Sequence, residues 1–141
     1  VTVALIDDQA LGAVLRGSTP RQLRRRQLAT TGLWYVRLCQ AVLSATDRVG
    51  ALSKPFATLP AERREQALAA LLELPADIEL LSLRQLGPVI GQLRRRHSLN
   101  ILGVEVLAAA IALEADVYLS VASPQLELAL TLEGRTCRRV A

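Results

Sequence analysis

Two adjacent acids, Asp7 and Asp8, follow the apolar run VTVALI and precede QALGAVL, in which Leu11, Val14 and Leu15 recur at helical spacing. Carboxylates at a strand-to-helix junction have two uses. They accept hydrogen bonds from free N–H groups of the first helical turn, beside the positive end of the helix dipole. They also stand at the carboxyl end of a strand, where open parallel sheets collect ligands. Because side chains alternate along a strand, the two acids are expected to separate. Asp8 then caps the helix on the N–H of Ala10 or Leu11, and Asp7 faces the crevice. Helix initiation alone accounts for both acids as well.

Other reactive side chains are sparse. His97, the single histidine, is a candidate general base, but it follows a charged helix end where a cationic cap is favoured. Ser120 and Ser123 are expected at the crevice mouth, where hydroxyls meet phosphate, and Ser123 also suits an N-cap. Trp34 and Tyr35 could stack a base, yet Leu33, Val36 and Leu38 beside them argue for core or dimer contacts. Cys39 and Cys137 lie far apart without a CxxC, so they read as two buried thiols. No P-loop, GxGxxG or GxSxG motif occurs, and VASPQL does not make a nucleophile elbow.

The elements that position these residues follow from pattern. Strands are expected at 1–6, 28–31, 77–83, 116–121 and 137–140. Helices are expected at 9–16, 20–28, 32–45, 61–74, from Ser82 to Arg96, at 100–115 and between Ser123 and Gly134. Gly17 and Gly134 are the helix stops, Ser82 with Gln85 a capping box, and Gly87-Pro88 a kink. Residues 47–60 are the longest irregular stretch. Strands alternating with helices give one three-layer α/β/α domain over 1–141, with a parallel sheet and right-handed crossovers.

Composition sets the class. The chain has 141 residues, 51% of them hydrophobic, which is enough for a core without metals or disulfides. No apolar run reaches the roughly 18 residues of a membrane helix, and VTVALI is too short for a secretion signal, so a cytoplasmic protein is expected. With no Met present, Val1 is either an alternative start or the edge of a trimmed chain. Every basic residue except Lys54 is Arg, a usage that points to a GC-rich bacterial, actinobacterial-type genome. The net charge of +4 permits an anionic partner without requiring one. RQLRRRQ and RRRH are read as solvated faces, and RTCRR as a protected sheet edge.

The stretch ALIDDQALGAVL resembles the opening motif of PIN domains, a hydrophobic strand, an Asp, a small polar pair and an apolar helix. GVEVLAAAIALEADVYLSVASPQL is similar to that family's closing motif. The resemblance spans essentially the full length and implies a five-stranded parallel sheet of order 3-2-1-4-5. It also implies a site of three or four carboxylates around Mg²⁺ or Mn²⁺, as in VapC-type ribonuclease toxins of toxin–antitoxin pairs. There the ion would activate the attacking water and brace the scissile phosphate.

By this resemblance the opening acid is Asp7. The second falls at Arg37, the third at Glu105, where the family usually has Asp, and the fourth at Ala122 or Ser123. Asp116 lies at the wrong end of its strand to substitute. The resemblance therefore implies a degenerate member. Asp7 and Glu105 would be catalytic, with Asp8 beside them as metal ligand, and Arg37, Ser120 and Ser123 would meet substrate. Arg37 is expected to pair with Asp7 or Glu105 and compete with the ion. The expected function is a PIN-like domain of weak or no nuclease activity, with Mg²⁺ or Mn²⁺ weakly bound or absent, that binds RNA or an antitoxin-like protein. The alternatives are an active metal-dependent ribonuclease and a homodimeric interaction protein.

Overall fold

A computed structural model of the chain describes residues 2–44 and 50–140. It contains five strands, β1 (Ala4–Ile6), β2 (Leu28–Thr30), β3 (Ile78–Leu80), β4 (Asp116–Leu119) and β5 (Cys137–Arg139). The helices are α1 (Asp8–Leu15), α2 (Gly32–Leu43), α3 (Lys54–Ala57), α4 (Ala61–Leu72), α5 (Leu83–Leu93), α6 (Ile101–Leu113) and α7 (Pro124–Leu132). The strands form one sheet of order β3-β2-β1-β4-β5, and all its pairings are parallel. This is the expected α/β architecture, with β1 at the centre.

Alternation along the strands divides the core. Leu5, Val117 and Leu119 point to a layer made by α5, α6 and α7. Ala4, Ile6 and Tyr118 point to the other, made by α1, α4 and Phe56 of α3. Helix α2 serves both, through Trp34 on one side and Leu38 on the other. Residues 103–110 of α6 are all buried, as its nearly all-apolar sequence predicts. Each leucine so covered contributes about 1.5–3 kcal/mol relative to exposure.

Strands are shorter than the sequence suggests because caps take their ends. Thr31 accepts from the Trp34 N–H and opens α2, and Ser82 accepts from the Arg84 N–H and opens α5. The expected helix at 20–28 is instead a single 3₁₀ turn, Arg21–Leu23, followed by Arg25 in the left-handed region at φ 62°. Like charges at i,i+4, Arg21 and Arg25, disfavour a helix too short to nucleate alone. Leu23, fully buried, pins the turn. The irregular stretch holds the short helix α3, which no pattern announced. Its first residues, Asp47 to Val49, and the expected last helical residue Ala45 lie outside the described residues. Gly17 and Gly134 stop their helices at φ 79° and 74°. Pro88 lies inside α5, which runs on to Leu93.

Among the described residues no helix is long and apolar enough to cross a membrane.

Candidate functional site

Parallel order reverses at β1, since the chain moves from β1 to β2 on one side and later returns to β4 on the other. The carboxyl ends of β1 and β4 therefore flank the switch point, where such sheets bind ligands. A cleft of about 520 Å³ opens there, lined by Asp7, Asp8, Arg37 and Ser123 and, on its apolar wall, by Trp34 and Val106.

Asp7 is the last extended residue before α1, at φ −78° and ψ −179°. Its Oδ1 accepts from the Ala10 N–H at 2.9 Å and from the Ser120 hydroxyl at 2.9 Å, and its Oδ2 accepts from the Ser120 N–H at 2.7 Å. Asp7, and not Asp8, is thus the N-cap. Asp8 is already helical, so strand alternation does not apply to it, and both acids line the same cleft. This corrects the expected division between them.

Asp8 Oδ1 accepts from the N–H of Gln9 at 2.9 Å, while its Oδ2 is buried and has no hydrogen-bond partner. Arg37 Nε lies 3.5 Å from that Oδ2, too long and too exposed for a strong bond but close enough for an ion pair. Burial pushes the Asp8 carboxyl above its ordinary value; Arg37 pulls it back, and the neighbouring Asp7 charge raises it further. The cation opposite the acids therefore pairs with Asp8, not with Asp7 or Glu105 as expected. The reason is geometric: α1 and α2 pack side by side, which faces the first turn of one toward the second turn of the other.

Glu105 does not reach the cleft surface. It is fully buried, and its Oε1 accepts from the Leu33 N–H at 3.0 Å. That places the carboxylate on the free N–H groups of α2, beside the positive end of the helix dipole. Its Oε2 has no hydrogen-bond partner and faces Gly32, where an added Cβ would approach to 3.4 Å. The residues carried over as a metal set are therefore split: Asp7 and Asp8 in the cleft, Glu105 behind its wall.

The remaining expected contacts divide in the same way. Ser120 spends both its N–H and its hydroxyl on Asp7, so it holds the acid instead of offering a hydroxyl to substrate. Ser123 lines the cleft and precedes α7, but its side chain makes no cap; its N–H donates to Glu127 Oε2 at 2.9 Å. Trp34 is 4% exposed, packed in the core behind the cleft, and is not a surface for a dimer contact. His97 Nε2 lies 2.6 Å from Glu133 Oε2, tying the loop after α5 to the end of α7, far from a base's position in the cleft. Sequence reasoning missed the opposite wall, Gly50 to Ser53, because no pattern gave the irregular stretch a destination.

The donors present do not fit a cage of three or four carboxylates. Asp7 has committed both oxygens to hydrogen bonds, Asp8 has a guanidinium beside its Oδ2, and Glu105 is fully buried on the Leu33 N–H and does not line the cleft. Among the described residues no three His, Cys, Asp or Glu side chains converge to hold a metal ion. Fold and cleft together define an open, doubly wound α/β protein with a crevice at its switch point. No protein-family model matches the chain, and no curated protein matches it.

Proposed function

We propose that this chain is a degenerate PIN-like domain that binds RNA in place of cutting it. The observation that carries the reading is Arg37 beside Asp8, a cation in the position where an acidic site needs another carboxylate. A guanidinium there lowers the attraction for a divalent ion and supplies a planar, half-exposed donor for phosphate. The net charge of +4 and the open cleft favour the same partner.

An active Mg²⁺- or Mn²⁺-dependent ribonuclease is the second reading. It is favoured by the convergence of Asp7 and Asp8 on one cleft and by the Oδ2 of Asp8, which accepts no hydrogen bond. One experiment separates the two. The purified chain is incubated with labelled RNA and millimolar Mg²⁺ or Mn²⁺, and both retention and cleavage are followed. Bound, intact RNA supports the binding reading. Cleavage that disappears in Asp7→Ala overturns it in favour of the nuclease. RNA that is neither bound nor cut turns the search to a protein partner, an antitoxin-like chain or a second copy.

A further inference from the structure

The two arginine clusters that look unrelated in sequence meet in space. Gln22 Nε2 donates to the Arg139 carbonyl at 2.8 Å, docking the 3₁₀ turn against edge strand β5 across 117 positions. Arg26 lies over the Tyr118 ring, 5.7 Å from its centroid, on the face of the sheet that the turn covers. Arg138 faces the same side, its Nε 3.9 Å from Asp116. Arg21, Arg24, Arg25, Arg26 and Arg138 are all exposed, and Asp116 is the one acid paired among them in the described residues; Arg139, in register with Leu119, alternates to the opposite face of the sheet. The turn is not a loose tail, because Leu23 is buried beneath it and anchors its backbone.

We infer that this composite arginine face is a docking surface for the phosphodiester backbone of a nucleic acid. Five exposed cations gathered on the docked turn and the adjoining strand match a repeating anion. None of the chain's four aromatic side chains is exposed there to stack a base, since Trp34, Phe56 and Tyr118 are buried and Tyr35 sits on α2. Recognition is therefore by charge and backbone shape, tolerant of sequence and steep in salt. With about five phosphate contacts, affinity falls roughly five hundredfold between 50 and 200 mM salt. The inference gives the RNA-binding reading its surface and rests on it.

The test is a fluorescence-anisotropy titration of the full chain with labelled duplex RNA, single-stranded RNA and duplex DNA across a salt series. Three proteins are compared: wild type, the triple variant Arg24→Gln/Arg25→Gln/Arg138→Gln, and the control Arg94→Gln/Arg95→Gln, which removes an exposed pair elsewhere. Thermal melts confirm that each is folded. The expected result is that the triple variant weakens binding of all sequences alike and reduces the log–log salt slope by about three, one per arginine, while the control loses less. Tighter binding of RNA than DNA identifies the source of the phosphate. Binding that survives the triple variant but is lost in Arg37→Gln overturns the face and leaves the RNA reading intact. Absence of binding to any nucleic acid at 50 mM salt overturns both.

Discussion

Asp7 and Ser120, 113 positions apart, are joined by two hydrogen bonds of 2.7 and 2.9 Å, so one carboxylate clamps the crest of β4 to the crest of β1 while capping α1. The same group that a nuclease would use for a metal is here spent on holding the crevice in shape. Asp7→Ala loses three hydrogen bonds in a buried setting, and its expected cost is about 2–4 kcal/mol. Asp7→Asn keeps a single acceptor oxygen and is expected to fall between the two. Urea denaturation of the three proteins checks the order.

Glu105 is structural by the same argument. Glu105→Ala leaves the Leu33 N–H unpaired in a buried site and opens a void, with an expected loss of about 2–4 kcal/mol. Glu105→Gln retains an acceptor for that N–H and is expected to stay within about 1.5 kcal/mol of wild type. Equal damage from both variants would show that the negative charge itself is needed.

Asp8 makes stability depend on acid in an unusual direction. Its folded pKa lies above the ordinary value of 3.8, so the folded state binds this proton more tightly than the unfolded one. Its contribution is most favourable below 3.8 and is lost as pH rises from there through the raised folded pKa. Asp8→Asn removes that loss. The difference in unfolding free energy between Asp8→Asn and wild type is expected to shift toward the variant as pH climbs from 3 to 6, measured by urea titrations at each pH.

Glu133 behaves oppositely. The hydrogen bond from His97, and then Arg96, hold its carboxyl below the usual value of 4.5. Stability from this cluster is therefore present above 4.5 and is lost as pH falls through the lowered folded pKa. Glu133→Gln is expected to cost about 1 kcal/mol at pH 7, since the site is near the surface, and to cost less as the pH approaches 3.

If Arg37 is what keeps divalent ions out, reversing its charge should admit them. Arg37→Glu with Ala122→Asp is expected to bind Mn²⁺ at least about tenfold more tightly than wild type, a change of about 1.4 kcal/mol. Electron paramagnetic resonance of free Mn²⁺ reads this directly, and an unchanged free-ion signal would contradict it.

The α/β class and its parallel sheet were legible because apolar runs alternate with helical periodicity, whereas the strand order came from the family resemblance of the opening and closing motifs. Asp7 was legible as a crevice residue from the same alternation. The roles of the two acids were exchanged because they depend on where the strand yields to the helix, a one-residue question that local pattern does not answer. Arg37 was placed correctly at the cleft, but its partner was set by the packing of α1 on α2, a tertiary fact. Glu105 carried the spacing of a site residue, yet the amino end of α2 claimed its carboxylate. The arginine run between α1 and β2 read as a helix by composition and failed as one through like-charge crowding.

The Gln22 amide also changes what β5 can offer to other chains. A carbonyl already engaged from the side is closed to a visiting strand, so intermolecular sheet growth at that rim requires the 3₁₀ turn to peel away first. The opposite rim is β3, three residues long with Glu79 exposed. Fibre-like association of this fold is therefore resisted unequally at its two borders, and loosening the turn is the route by which the better-guarded one would open.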